Sequence, residues 1–174
     1  MSKDLNLREK LRQALESTAR VISDDYKIED KLNENKSSKK FDFFQIENLN
    51  SKNDFVKARA EFDSAALKKK FSNTEIFKKN LPNKSSCKSL YAIAEKIRYE
   101  ALGGKMLKGI KKNLKENYDQ IINLKRKDQL KTKEDVPVVE AFELYMLKNF
   151  HNIKLNALTT KMLSFWEKDF DKSI

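Results

Sequence analysis

Three glycines and two prolines punctuate 174 residues, and all three glycines (Gly103, Gly104 and Gly109) fall within seven consecutive positions. Glycine supplies the positive φ that most tight turns require. A chain this poor in it has little room for hairpins and is pushed toward helices. Apolar residues recur at helical spacing along most of the chain. Leu7, Leu11, Leu15 and Ile22 mark a helix over 4–22, with Asp4 in place to cap it. Phe55, Arg59, Phe62, Ala66 and Phe71 run along one side of a second. Leu90, Ile93, Ala94, Ile97 and Ala101 follow a cap at Ser85 or Ser86, and Leu107, Ile110, Leu114, Tyr118 and Ile121 follow the glycines. Pro137 opens a helix in its favoured first-turn place, with Val139, Phe142, Met146 and Phe150 inward. A final helix over 156–170 turns Leu158, Met162, Phe165 and Trp166 to the core. The segment "FDFFQI" breaks this period; it is short and aromatic, and reads as part of a two-stranded ribbon. The expected fold is mostly α: a helical bundle with a small two-stranded β element near the N-terminus. As one domain over 1–174 it divides into a helix at 1–23, ribbon and loop at 24–50, central helices at 54–122, a charged linker at 123–136 and a helix pair at 137–170.

Eleven Phe, five Tyr and one Trp supply core material that disordered chains lack. The formal charge of +11 is unevenly placed. Residues 104–133 hold ten Lys or Arg, among them Lys105, Lys108, Lys111, Lys112 and Lys115, against Glu116, Asp119 and Asp128. Such a stripe suits nucleic acid, an anionic membrane or an acidic protein segment. No apolar run approaches the roughly 20 residues of a membrane span. The first residues lack the apolar region of a signal peptide, so the expected location is the cytoplasm. One cysteine (Cys87) and one histidine (His151) exclude a disulfide framework and a Cys/His zinc site.

Gly104 and Gly109 have the spacing of the glycines in a phosphate-binding loop. That loop needs a lysine and a hydroxyl directly after the second glycine, and Ile110 and Lys111 stand there instead. Gly103–Gly104 reads better as a helix C-terminus in the left-handed conformation. Gly109, inside or opening the next helix, costs up to about 1 kcal/mol relative to alanine, which predicts a close helix–helix approach at that point. His151, beside a helix end, reads as a capping or surface residue. Glu140 and Glu143 read as a solvated face. Tyr118 is the one aromatic within the basic run, and it sits on the apolar stripe. No nucleophile–base set, metal site or cofactor site emerges from these residues.

The stretch "AIAEKIRYEALGGKMLKGIKKNL" resembles the N-terminal region of the CobT subunit of aerobic, ATP-dependent cobaltochelatase. Arg98, Glu100, Ala101, Leu102, Gly103, Met106, Gly109 and Asn113 carry the likeness. Upstream, "ARAEFDSAAL" is similar through Arg59, Asp63, Ala66 and Leu67, and downstream "FELYMLKNFHNIKLNALTTKMLSFWEKDF" is similar too. Histidines that many members carry after the Ala-Leu stretch are replaced here by "KKKFSNTEIFKKN". The family's acidic linker and C-terminal von Willebrand factor A domain lie outside this sequence. The resemblance implies a non-catalytic adaptor with no cofactor of its own. Its complex would use ATP, Mg²⁺ and Co²⁺, its partners being a CobS-like AAA+ ATPase subunit and a CobN-like large subunit. The basic stripe would then meet an acidic protein segment. The family-signature positions expected to matter are Arg59, Asp63, Arg98, Glu100, Gly103, Met106, Gly109 and Asn113. A magnesium chelatase context fits the same pattern, and a basic helical nucleic-acid-binding protein is the alternative.

Overall fold

The computed structural model describes residues 2–24, 51–124 and 132–173, with side chains in the first helix from Glu9 onward. Among the described residues there are eight helices and no strand: α1 (Ser2–Ser23), α2 (Lys52–Phe71), α3 (Thr74–Lys79), α4 (Ser85–Met106), α5 (Lys108–Leu124), α6 (Val138–Phe150), α7 (Ala157–Ser164) and α8 (Glu167–Ser173). The ribbon expected over 24–50 lies outside them, apart from Asp24, a turn residue with φ of 56°.

Local chemistry sets several boundaries. Ser51 and Asp54 form a reciprocal capping box on α2: the Asp54 N–H donates to Ser51 Oγ at 3.2 Å, and the Ser51 N–H donates to Asp54 Oδ2 at 2.9 Å. Asn73 caps α3 by accepting from the Glu75 and Ile76 N–H groups. Asn156 caps α7 by accepting from the Thr159 N–H at 2.9 Å, and its amide donates to the Ile122 carbonyl at 3.0 Å. One side chain thereby starts α7 and ties it to the end of α5. Two expected caps are corrected. α1 begins at Ser2, ahead of Asp4, and Lys84 precedes α4 without a side-chain cap, so Ser85 is already helical.

α2, α4 and α5 pack against one another, α1 covers α2, and α6 lies on α4 with α7 and α8 behind it. The buried faces of α2 and α6 are rotated from those the apolar pattern predicts, while α5 buries the predicted Ile110, Leu114 and Tyr118. On α2 the core takes Val56, Ala60, Phe62, Asp63, Ala66 and Leu67, while Arg59 is exposed and Phe55 largely so. On α5 it takes Ile110, Asn113, Leu114, Tyr118 and Ile122, leaving Leu107 and Ile121 outside. On α6 it takes Ala141, Leu144, Tyr145, Met146 and Leu147, with Phe150 outside. Small and polar residues on these faces are what shift them. Ala60 and Ala141 let helices approach, and Asp63 and Asn113 are buried because they pair.

The helix expected over 156–170 is divided at Phe165–Trp166. The Trp166 indole N–H donates to the Val136 carbonyl at 3.1 Å, and Lys133 lies over the ring at 4.2 Å. Anchoring the indole to the chain ahead of α6 turns the backbone there, and Phe170 then joins Phe142, Tyr145 and Trp166 in an aromatic cluster. Pro137 is the residue just before α6, one position earlier than predicted.

The glycines also require correction. α4 runs through Gly103 and Gly104 to Met106, and no glycine has positive φ, so neither is a left-handed stop. The close approach is at Gly103 and not at Gly109. A Cβ at Gly103 would lie 2.2 Å from Leu67 Cδ2 and 2.4 Å from Cδ1. At Gly104 it would meet Lys111 Cβ at an ordinary 3.4 Å, and at Gly109 it would meet nothing within 4 Å among the described residues outside its own helix and chain neighbours.

Candidate functional site

Gly103 lets α4 lie directly on α2, and this contact brings a polar cluster to the centre of the three packed helices. Glu100, one turn before Gly103 and 1% exposed, is its hub. The Ser64 hydroxyl on α2 donates to Glu100 Oε1 at 2.5 Å, and the Tyr118 hydroxyl on α5 donates to Oε2 at 2.6 Å. One turn away, the Asn113 amide on α5 donates to the Asp63 carboxylate on α2 at 2.6 Å. Two buried pairs therefore bridge these helices beside an otherwise apolar core. A buried polar group costs little when satisfied and roughly 1–3 kcal/mol when left unpaired, so the pairs fix how the helices register.

His151 reaches the cluster from the end of α6, where its backbone N–H closes the helix on the Leu147 carbonyl at 3.2 Å. Its side chain is 8% exposed and sits against the Tyr118 ring with centroids 5.6 Å apart. His151 Nε2 lies 3.7 Å from Glu100 Oε2 and has no hydrogen-bond partner. That distance is too long for a hydrogen bond. Burial raises the Glu100 carboxyl above its ordinary range, against the pull of Lys96 and the Ser64 and Tyr118 hydroxyls. Burial, with Lys96 and Lys111 nearby, holds His151 down to about 4. Because the imidazole stays uncharged down to about pH 4, this is a contact with a neutral His151 and not an ion pair. Burial likewise raises Asp63, against Asn113 and Arg59, and raises the Tyr99 phenol to about 12.

The His151 shift fixes a pH dependence. The unfolded chain takes up this proton near 6.5, whereas the folded chain refuses it until about 4. The contribution to stability is therefore complete above 6.5 and is lost as pH falls toward 4, by up to about 3 kcal/mol. His151→Gln is expected to remove this acid slope. Urea unfolding of both proteins at several pH values across the window checks it, and an unchanged slope in the variant would refute it.

A cavity of about 390 Å³ opens beside the cluster, with Phe62, Ser64, Lys96, Glu100, Leu114 and Tyr118 among its walls. Lys96 Nζ stands 5.4 Å from the Tyr118 ring centroid. Both Glu100 oxygens are already engaged, so the carboxyl presents no free base to the cavity. Among the described residues no three His, Cys, Asp or Glu side chains converge to hold a metal ion. The cluster cross-links α2, α4 and α5, and the end of α6 packs against it.

Of the expected positions, Asp63, Glu100, Gly103 and Asn113 come together here. Arg59 is exposed and reaches the cluster only through its charge on Asp63. Arg98 is used elsewhere: it bonds Glu95 at 2.7 Å and donates to the Phe71 carbonyl at 2.6 Å, closing the end of α2. Met106 and Gly109 lie exposed at the α4–α5 junction with Lys105, Lys108, Lys111, Lys112 and Lys115. Sequence reasoning missed Ser64, Tyr118 and His151. Tyr118 carried a signal, since a tyrosine on an apolar stripe needs an acceptor for its hydroxyl once buried. Ser64 and His151 carried none.

No helix among the described residues is long and apolar enough to cross a membrane. No curated protein and no solved structure matches the chain. A family model described as "Cobalamin biosynthesis protein CobT" matches residues 6–174, which take in the whole polar cluster and every helix after α1. With that match over nearly its entire length, the chain belongs to the CobT family of cobalamin biosynthesis proteins.

Proposed function

We propose that this chain is a non-catalytic assembly domain of a cobaltochelatase, supporting ATP-dependent insertion of Co²⁺ into a corrin-precursor tetrapyrrole. Family membership supports a place in a multi-subunit cobaltochelatase. The observation that carries the non-catalytic part is the use of the signature side chains. Asp63, Glu100 and Asn113 are buried and spent on one another's helices, and Gly103 is spent on Leu67. Chemistry and ATP hydrolysis then belong to the partners, a CobN-like large subunit holding the tetrapyrrole and the metal and a CobS-like AAA+ subunit. The nucleic-acid alternative loses its one aromatic in the basic run, because Tyr118 is buried and unable to stack on a base.

Reconstitution tests this reading. The chain alone is expected to hydrolyse no ATP and insert no cobalt. Added to the ATPase and large subunits, it is expected to co-elute with the ATPase subunit and raise cobalt insertion. ATP turnover by the purified chain, or insertion that is indifferent to its presence, would overturn the proposal.

A further inference from the structure

One of the three glycines is required by the fold. Gly103 admits Leu67, whereas a Cβ at Gly104 would make only an ordinary contact with the aliphatic stem of Lys111. Gly109 has no such reason. It is helical without positive φ, exposed in the first turn of α5, and among the described residues nothing beyond its own helix backbone and chain neighbours lies within 4 Å of where its Cβ would be. Alanine would fit and would favour the helix by up to about 1 kcal/mol. A bare backbone that the fold does not use is suited to close approach from outside.

Its surroundings describe what approaches. Met106 and Leu107, just ahead of it, are each 43% exposed, and Leu102, one turn before Met106, is exposed as well. Lys108 and Lys112 flank Gly109 on α5, one turn apart. Lys105 precedes them, and no acidic residue sits in the first turn of α5. Of these lysines Lys112 pairs with a described carboxylate, Glu116, at a loose 3.8 Å with both side chains largely exposed. An exposed pair of that kind contributes little, so the charge is available.

The geometry points to the α4–α5 junction, centred on Gly109, as a docking surface for an acidic segment of a partner protein. The segment's main chain passes against Gly109, its carboxylates meet Lys105, Lys108 and Lys112, and an apolar side chain covers Met106 and Leu107. This deepens the assembly reading and rests on it for the identity of the partner. The arrangement is the usual one for a recognition patch, apolar contact at the centre with complementary charge around it.

The test compares the wild-type chain with Gly109→Ala, Gly109→Leu and the double variant Lys108→Glu/Lys112→Glu. Each is measured for its own melting and for affinity, at physiological salt, toward the ATPase subunit and toward poly-glutamate as an acidic probe. Gly109→Ala is expected to melt no lower than wild type. Gly109→Leu and the double variant are expected to keep wild-type melting and to lose tenfold or more in affinity for both ligands. Wild-type affinity in both variants would overturn the docking surface while leaving the assembly reading standing. A wild-type chain that binds poly-glutamate through these residues but not the ATPase subunit would overturn the assembly reading and keep the surface. If Gly109→Leu unfolds, the double variant carries the decision. A wild-type dimer in light scattering, split by Gly109→Leu, would give the surface to a second copy and overturn the acidic partner.

Discussion

Gly103→Ala lowers the stability of the folded chain, although alanine is the better helix former. The substitution gains up to about 1 kcal/mol in propensity. It also places a methyl group 2.2–2.8 Å from three atoms of Leu67, a residue with no exposed surface. Overpacking of this kind costs about 1–3 kcal/mol and occasionally more, so the balance is unfavourable. Gly103→Leu is worse, because the larger side chain has to separate α4 from α2 and with them Glu100 from Ser64. The cause is checked by a cycle with Leu67→Ala. That change alone costs roughly 2–5 kcal/mol, but it vacates the space the new methyl needs. The double variant is therefore expected to lose less than the sum of the single losses, with a coupling of about 1 kcal/mol or more. Equal or higher stability of Gly103→Ala in urea unfolding would refute the contact. Gly109→Ala is the internal control, since its methyl group would meet no other element among the described residues.

The contrast between these glycines shows what was legible in the sequence. Scarcity of glycine and proline was enough to indicate helices, and the "EALGGKMLKGIKKNL" stretch marked the place where α4 gives way to α5. Which glycine was tight depended on Leu67, 36 positions earlier, and no local pattern records that distance. The rotated helix faces have the same origin. An apolar period counts Phe55 and Ile121 as core, whereas the packed chain prefers Ala60 for close approach and buries Asp63 because Asn113 satisfies it. The candidate site was half visible. Asp63, Glu100, Gly103 and Asn113 were legible because they belong to a family pattern, while Ser64, Tyr118 and His151 became members only once three helices met. Arg98 belonged to the same pattern and proved to serve a helix end instead.

Glu100 is the position where charge and structure can be separated. Glu100→Leu removes both acceptors, leaving the buried Tyr118 hydroxyl without its partner and taking one from the half-buried Ser64. An unpaired buried group costs roughly 1–3 kcal/mol, so a loss of about 2 kcal/mol or more is expected. Glu100→Gln keeps one oxygen to accept, and its amide can donate toward a hydroxyl that rotates or toward the unpartnered His151 Nε2. It is expected to stay within about 1 kcal/mol of wild type near neutral pH. The pH profile then tells charge from shape. Because the folded carboxyl titrates above its ordinary 4.5, its contribution to stability is complete below that value and is lost as pH rises through the raised one. Asp63 acts in the same direction, and His151 in the opposite one between about 4 and 6.5. In wild type these effects partly cancel. Glu100→Gln removes one of them, so its stability should climb more steeply than that of wild type as pH rises from 4.5 to 6.5. Denaturant unfolding across that range measures the two slopes. A Gln variant with the wild-type slope would refute a raised Glu100 carboxyl.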